Sequence, residues 1–298
     1  MTRQSPIPIE EISDKFDGSV TMLYYAESGA GKTELAGSIG KDGIILEIGA
    51  GDLTLRSPGF RSRYKDIPKI AFIHENIDPA TGLFRSADAF NQVTDFCDWF
   101  LEGQNDFQTL AIDDATSLNI FARNLGMEAN AKLDIGDTMR KSQKVGFPVP
   151  EVSDYGKEIN ILMWFLGNDV AHFKRRKKNL LITAHERHIY KAPEKVGGEP
   201  TITKIIPGFT GKTLPDTIEQ FFDFVWRGEV ANGTVFRCKT ISNQNYKCKT
   251  RWSGVFPEEI KNPDFSKVVA VMQSGKRYRM LDMAAMDDSR KTIPITGV

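Results

Sequence analysis

A short glycine-rich segment near the start of the chain has the residue types of a phosphate-binding loop. An apolar run at 20–25 precedes it and a helix-like stretch at 34–39 follows it. The segment itself reads Ala26-Glu27-Ser28-Gly29-Ala30-Gly31-Lys32-Thr33. A chain that turns from strand to helix through glycine-rich backbone presents several N–H groups to one anion. We therefore expect these residues to bind ATP, with Lys32 on the β and γ phosphates and Thr33 on Mg²⁺.

Ala26 stands where the usual motif has its first glycine, so the segment matches the relaxed form of the pattern. Alanine is small, but it adopts a positive φ less readily than glycine. The alternative interpretation is a glycine-rich turn that happens to contain Lys-Thr. The flanking strand and helix favour the phosphate-binding loop.

Two acidic residues end the apolar run 107–112. A carboxylate at the tip of a strand beside a phosphate loop can hold Mg²⁺ through water, and we assign that role to Asp113 together with Thr33. Asp114 is a second carboxylate that could orient an attacking water. The alternative is that the acidic pair only starts the next turn.

Glu47 is a further candidate for the hydrolytic base. It lies inside the apolar run 44–48, directly before the turn 49–52. A charged residue within an apolar strand needs a reason. A solvated strand end and a general base that faces the γ phosphate are both consistent with this position.

A third apolar run, 180–184, also ends in polar residues. Thr183 or His185 at its tip could hydrogen-bond the γ phosphate or the lytic water. A lone histidine at a strand end is more often structural. The long, glycine-rich and basic loop that follows favours a functional role for His185.

Short apolar runs alternate with helical patterns, which predicts βαβ units and a mainly parallel sheet flanked by helices. The predicted parallel strands are 21–25, 44–48, 70–74, 109–113 and 180–184, and the predicted helices include 86–101 and 155–165. Residues 187–215 read as loop or short hairpin. The segments 221–228, 234–242 and 246–252 predict an antiparallel β-meander at the C-terminal edge. The fold class is therefore α/β.

A second Gly-Lys-Thr occurs at 211–213. Ile206 occupies the position that requires a small residue, and the sequence shows no apolar strand leading into it. We expect it to be a decoy.

Composition excludes several classes of protein. The 298 residues are 40% hydrophobic and 26% charged, as in an ordinary globular protein. Lysine plus arginine equals aspartate plus glutamate at 39 each, so any nucleic-acid surface must be local. The apolar runs are far shorter than a membrane span, and the first residues lack the apolar centre of a signal peptide, which predicts a cytoplasmic protein. We expect no membrane partner.

Cys97, Cys238 and Cys248 cannot form a disulfide framework or a close-spaced zinc knuckle. Cys238 and Cys248 flank a predicted hairpin and could pair across it in oxidising conditions, whereas buried or half-buried free thiols are expected in a reducing cytosol. We expect no metal besides Mg²⁺. The predicted organisation is an N-terminal extension over 1–19, an ATPase core over 20–254, and a weakly structured C-terminal segment over 255–298 that ends in a flexible tail at 287–298.

Taken together, these motifs resemble a RecA-like P-loop ATPase, and specifically the phage-encoded RecA-like proteins grouped with the Sak-type single-strand annealing proteins. The resembling segments are 26–33, 44–55, 109–117, 180–186, 205–212, 222–225 and 247–251. The resemblance implies a RecA-like core and ATP hydrolysis. It further implies a homo-oligomer that binds single-stranded DNA and promotes annealing or strand exchange in phage recombination, in the cytoplasm of the host bacterium. A single-strand-binding protein is a further candidate partner.

The same resemblance assigns two more roles. The family usually carries an acid where this chain has Gly49, which leaves Glu47, Asp52 or Asp114 as the base. Lys249 and Arg251 resemble the cationic finger that RecA-like subunits insert into a neighbour's nucleotide site. A solvated basic strand end is the alternative for these two cations.

Family proteins bind single-stranded DNA through loops that here fall at 140–144 and 187–212. Cations with an aromatic residue among them suit phosphate contact and base stacking. The second loop offers Arg187, His188, Tyr190, Lys191, Lys195 and Lys204. The denser basic run 174–178 is equally consistent with a solvated helix end and with a DNA patch.

Two other functions fit the same motifs. One is a P-loop ATPase of another class that acts through a protein partner, as helicase loaders do. The other is a nucleotide-gated binding module with little hydrolysis. Stimulation of turnover by single-stranded DNA would separate the recombination function from both.

Overall fold

A mixed, mostly parallel ten-stranded sheet lies at the centre of the computed structural model. The structure describes residues 16, 18–48, 52–64, 68–73, 86–103, 105–129, 152–192, 198–231, 235–252, 254–276 and 278. The strands are β1 (Thr21–Ala26), β2 (Gly43–Glu47), β3 (Lys69–Phe72), β4 (Thr109–Asp113), β5 (Asn179–Lys191), β6 (Thr201–Pro207), β7 (Phe224–Ala231), β8 (Val235–Lys239), β9 (Lys249–Thr250) and β10 (Glu259–Lys261).

Helices cover both faces of this sheet. They are α1 (Lys32–Gly37), α2 (Asp52–Arg56), α3 (Pro58–Arg63), α4 (Ser86–Leu101), α5 (Ala115–Ala129), α6 (Val152–Arg175), α7 (Thr213–Thr217) and α8 (Phe265–Ser274), with a 3-10 turn at Ile218–Gln220. No helix in these described ranges has the length and apolar character needed to cross a membrane.

The parallel strands follow the order β7-β1-β5-β4-β2-β3. The α/β class and the mainly parallel sheet are thus confirmed. The carboxyl ends of β1, β5, β4 and β2 share one edge, where Ala26 pairs with His185 and Glu47 pairs with Asp113. The sheet order therefore brings together strand ends that are far apart in sequence.

Strand β1 is buried along its whole length because helices pack on both faces. Leu23 and Tyr25 belong to the core on the side of α4, α5 and α6. Met22 and Tyr24 belong to the core on the side of α1, α3 and α8. This arrangement explains why β1 reads as a continuous apolar run rather than an alternating one.

The antiparallel edge exists, but it is not the predicted meander. β7 pairs parallel with β1 and so belongs to the central sheet. Both β8 and β9 pair antiparallel with β7, and β10 pairs with β8. The parallel pairing of β7 is a long-range contact with β1, which the local turn signals do not reveal.

The helices and the segment after residue 184 agree with the sequence predictions only in part. Helix 86–101 is confirmed, whereas 155–165 is only the central part of the 24-residue α6. The sequence interpretation missed α5, whose first turn is capped by Asp114 Oδ1 as it accepts a hydrogen bond from the Ser117 N–H at 2.9 Å. β5 continues past residue 184 and pairs antiparallel with β6, so of the two alternatives given for 187–215, loop or short hairpin, the hairpin is confirmed for this part.

The segment expected to be weakly structured contains β10 and α8. Asp264 caps α8 by accepting a hydrogen bond from Lys267 N, and Gly275 ends it at φ 65°. The sheet thus extends past residue 254. Residues 287–298, predicted to be a flexible tail, lie outside the described ranges. All three cysteines are free and buried, as expected.

One buried carboxylate gives the fold a pH dependence. Asp169 on α6 is 5% exposed, and its Oδ2 has no hydrogen-bond partner among the described residues. Burial, with a smaller contribution from the charge of Asp98, raises the pKa of Asp169 to about 6. The folded protein therefore holds the proton more tightly than the unfolded chain, and stability falls as pH rises from about 4 to about 6.

We predict that Asp169→Asn raises the free energy of unfolding at pH 7 by about 2 kcal/mol, because the buried charge is removed. The variant should also lose the fall in stability that Asp169 causes between pH 4 and 6. Urea unfolding followed by circular dichroism across that range measures both effects. Asp98→Asn removes only the charge of Asp98 and leaves Asp169 buried, so it should raise the free energy of unfolding by less. An Asp169→Asn protein with unchanged stability at pH 7 would contradict this account.

Candidate functional site

The loop between β1 and α1 turns sharply at two glycines. Gly29 and Gly31 have φ values of 77° and 82°, a region that favours glycine. A Cβ at Gly31 would also lie 2.8 Å from the ring of Phe236. Ala26 is the last residue of the extended strand β1, so it needs no positive φ. The departure from the usual motif at Ala26 is therefore compatible with the geometry of this loop.

Lys32 lies across this loop and is 8% exposed. Its Nζ donates to the carbonyl oxygens of Glu27 at 2.9 Å and Ala26 at 3.3 Å, and it is 3.3 Å from His185 Nδ1. Burial lowers the pKa of Lys32, while nearby carboxylates, Asp114 first among them, raise it. The ammonium group therefore lies at the base of the loop, where its partners are neutral carbonyl oxygens that an anion could replace.

Asp113 is the central acid of the site. Its carboxylate is 4% exposed and accepts hydrogen bonds from the hydroxyl of Thr33 at 2.8 Å and from the hydroxyl of Thr183. Burial raises the pKa of Asp113, and the two hydroxyl donors oppose that change. These bonds join β4 to α1 and to β5, and they place Thr33 and Asp113 together as predicted. Thr183 is thus occupied with Asp113.

Asp114 and His185 form a second pair at the same edge. Asp114 Oδ2 is 3.2 Å from His185 Nε2, while Oδ1 caps α5. The backbone of His185 accepts from Gly208 N at 2.7 Å and donates to Thr116 Oγ1 at 3.2 Å. The His185 ring is held between Lys32 and Asp114, so it faces the candidate site.

Glu47 ends β2 directly beside Asp113 and is only 2% exposed. The interpretation of this residue as a solvated strand end is therefore wrong. Its side chain lines the same cleft as Lys32. Gly49 and the side chain of Asp52, the other acid considered for this role, lie outside the described residues.

These side chains surround an open cleft of about 450 Å³. It is lined by residues of α1 and its preceding loop, by strand ends, by α2 and by β8: Ser28, Gly29, Gly31, Lys32, Thr33, Glu34, Glu47, Thr54, Asp113, Asp114, His185 and Phe236. A cation at the base and a hydroxyl-bound carboxylate, Asp113, at one side suit a polyphosphate with a divalent cation. The glycine-rich loop supplies the backbone donors.

Sequence reasoning missed Phe236. It lies on β8, more than two hundred residues after the loop, and its ring contacts the backbone at Gly31. No local pattern distinguishes it from the other residues of that strand. The pairing of β8 with β7, and of β7 with β1, brings it to the cleft.

A group of three potential metal ligands lies beside the loop, and it too was not anticipated. Within the described part of the chain, one atom each from Glu27, Glu186 and His188 lies within 4.8 Å of the others. His188 Nε2 is 2.6 Å from Glu186 Oε1, and Arg227 Nε is 2.9 Å from Glu186 Oε2. Because Arg227 already neutralises the most buried of the three, this group is better explained as a hydrogen-bonded ion cluster.

Lys249 and Arg251 lie far from this cleft in the same chain. β9 pairs with the first residues of β7, at the opposite end of β1 from the loop. Lys249 Nζ donates to the carbonyl oxygens of Glu219 and Phe222, and burial lowers its pKa. Arg251 is 53% exposed and reaches Asp223 through Nε at 3.4 Å. Of the two, Arg251 has the more accessible charge.

Most of the residues predicted to contact DNA lie on the hairpin of β5 and β6. Tyr190 is 56% exposed. Lys204 is paired with Asp216 at 2.9 Å, and Arg187 donates to Gly211 O at 2.6 Å. His188 belongs to the ion cluster and Lys191 is exposed at the strand end. Residues 140–144 and Lys195 lie outside the described ranges.

The second Gly-Lys-Thr does not contribute to the cleft. β6 does lead towards it, contrary to expectation, but Lys212 is an exposed residue before the five-residue helix α7. The interpretation of this segment as a decoy agrees with its position.

No protein-family model matches this sequence, and no curated protein matches it significantly.

Proposed function

We propose that this chain binds ATP with Mg²⁺ and hydrolyses it in the cleft beside Lys32. One observation carries the proposal: a glycine-rich loop, a lysine and a hydroxyl-bound carboxylate meet in one open cleft, although β4 follows the loop by some eighty positions. A polyphosphate needs these three elements together, namely backbone donors, a cation and a metal-binding acid.

The lysine supplies the cation in this mechanism. The carbonyl partners of Lys32 leave its ammonium group within reach of the loop, so a bound phosphate oxygen would replace them. The negative charge of the phosphate would also favour the protonated form of this buried lysine. Because α1 has only six residues, we assign anion binding to the loop amides and Lys32 rather than to the helix dipole.

The residues that would hold Mg²⁺ are Thr33 and Asp113. Both offer oxygen atoms, the donor type that Mg²⁺ prefers, and they are 2.8 Å apart. Bound Mg²⁺ would neutralise charge on the β and γ phosphate oxygens. The bond from Thr183 keeps the Asp113 carboxylate in place before the metal binds.

We assign the hydrolytic base to Glu47. Asp114 uses one oxygen to cap α5 and the other to contact His185, so it is better suited to positioning. Glu47 lies on the adjacent strand β2 and lines the cleft. His185, next to Lys32, is the candidate that would contact the γ phosphate or the lytic water.

We further propose a RecA-like core whose ligand is single-stranded DNA, with annealing or strand exchange in phage recombination as its role. The sheet order and the resembling segments support this assignment. The exposed Tyr190 on the β5–β6 hairpin is suited to base stacking. A homo-oligomer with Arg251 and Lys249 as a finger in trans stays a prediction, as does a single-strand-binding protein as partner.

We predict that Lys32→Ala abolishes ATP turnover, because the cation that offsets γ-phosphate charge is lost. Lys212→Ala is the matched control, since it alters the other Gly-Lys-Thr outside the cleft, and its DNA-independent turnover should equal that of the unaltered protein. Phosphate release measured with excess Mg²⁺ and ATP gives the comparison. Undiminished turnover in Lys32→Ala would refute the proposal.

The same assay separates the DNA function from its alternatives. Single-stranded DNA should stimulate turnover of the unaltered protein, and the stimulation should weaken as salt increases. An ATP turnover rate that is the same with and without single-stranded DNA would favour an ATPase that acts through a protein partner. ATP binding without turnover would favour a nucleotide-gated module.

We predict that Glu47→Gln lowers turnover by roughly 10² to 10⁴-fold while ATP binding persists, because only proton abstraction is lost. Glu34→Gln, which changes another acid of the cleft, should have a much smaller effect. Single-turnover hydrolysis and equilibrium ATP binding distinguish the two steps. If Asp114→Asn lost most of its ATP turnover while Glu47→Gln turned over ATP normally, Asp114 rather than Glu47 would be the hydrolytic base.

A further inference from the structure

A second cleft, of about 290 Å³, lies at the start of β1, at the end of that strand away from Lys32. Its walls include two aromatic rings, two cations, one carboxylate and one buried hydroxyl: Phe16, Trp252, Lys174, Arg251, Asp223 and Ser19. None of these groups lines the ATP cleft of the same chain, although Arg251 also belongs to the finger predicted to act in a neighbouring subunit. The cleft is therefore a separate feature that needs its own explanation.

The charges of the cleft leave an excess of positive charge. Asp223 Oδ1 is 3.0 Å from Lys174 Nζ and 3.4 Å from Arg251 Nε, so one carboxylate faces two cations. The other oxygen of Asp223 accepts from the hydroxyl of Thr21 at 2.7 Å. Among the described residues, the side-chain contact of Arg251 is made through Nε, which leaves both Nη groups for a bidentate contact with a phosphate or carboxylate.

The pKa of the neighbouring Lys249 responds to this positive charge. Burial lowers its pKa most, and the charges of Arg251 and Lys174 lower it further. Arg175, the last residue of α6, and Arg176 directly after it are exposed and extend the positive surface beyond Lys174. A chain with no net charge thus concentrates cations here, as a local polyanion site requires.

Ser19 is an independent sign of a ligand. It is 6% exposed, and its Oγ has no hydrogen-bond partner among the described residues. Leaving a buried hydroxyl unpaired is unfavourable, so such groups are rare unless another molecule satisfies them. A bound oxyanion that accepts from Ser19 would account for it.

The two aromatic rings of the cleft indicate that its ligand carries a flat ring as well as an anionic group. Phe16 packs edge-on against Trp252 with ring centroids 5.6 Å apart, and both rings are partly exposed at the cleft. The indole therefore offers a flat apolar surface near Arg251, and arginine and tryptophan together suit a flat ring next to an anionic group.

We propose that this cleft binds a nucleotide unit, with the phosphate on Arg251, Lys174 and Ser19 and the base against Trp252. Such a phosphate and base could belong to a free mononucleotide or to one unit of a single-stranded nucleic acid. The exposed arginines beside Lys174 favour the strand, because they would contact successive phosphates.

The test is calorimetric titration of the Lys32→Ala protein with dTMP, thymidine, inorganic phosphate and a short oligothymidylate. We expect dTMP or the oligothymidylate to bind, and thymidine and phosphate to bind far more weakly. Ser19→Ala should weaken the binding about tenfold, while its thermal unfolding temperature is unchanged or higher because an unpaired hydroxyl is removed. Trp252→Leu should weaken it to a similar extent.

Arg176→Ala is the matched control, since it removes an exposed cation outside the cleft. It should leave dTMP affinity unchanged and reduce the salt dependence of oligothymidylate binding by about one unit of slope. Binding of dTMP identifies a free nucleotide as a ligand, and binding of the oligothymidylate alone identifies a strand.

Three results would overturn the proposal. The first is no heat with either nucleotide probe. The second is equal affinity in Ser19→Ala, whose small change leaves the fold intact. The third is phosphate binding as tight as dTMP binding, which would exclude a contact with the base.

Discussion

The hydrogen bonds of the Asp113 carboxylate hold the candidate site together. This buried acid accepts from Thr33 at the start of α1 and from Thr183 within β5, so one side chain connects the loop to two strands of the sheet. A buried carboxylate without such donors would be costly, and burial does raise the pKa of Asp113. The same donors that stabilise the acid also keep it at the position proposed for Mg²⁺, so the fold and the proposed chemistry depend on the same contacts.

The loop and the strand-end acids could be predicted because each has a local signature. Residues 26–33 contain their own glycines, lysine and hydroxyl, and Asp113 ends a recognisable apolar strand. Glu47 was ambiguous because the sequence does not report burial, and the 2% exposure of its side chain comes from strand pairing. No local sequence pattern places Phe236 at the cleft, because its ring reaches Gly31 only through the pairing of β8 with β7.

Local signals also failed where pairing is long-range. Residues 224–231 have the turn residues of an antiparallel hairpin on one side, and they do pair with β8. Their parallel pairing with β1 connects segments two hundred residues apart, which turn chemistry cannot predict. The cleft at Ser19 has the same origin, because Phe16, Lys174 and Arg251 meet only in the folded chain.

The two ends of β1 thus have different chemistry. At the carboxyl end, a glycine-rich loop and buried acids suit a triphosphate with a metal ion. At the amino end, an arginine, a lysine and an indole suit a phosphate next to a flat ring. A fully buried strand separates them, so a change at one end need not disturb the other.

The most direct test of the central claim is a crystal structure of this protein with Mg²⁺ and a non-hydrolysable ATP analogue. We predict β and γ phosphate oxygens within about 3 Å of Lys32 Nζ, and Mg²⁺ bound by Thr33 with Asp113 beside it. Lys32 would then have left the carbonyl oxygen of Glu27. An analogue bound elsewhere, with the bond from Lys32 to Glu27 intact, would contradict the account.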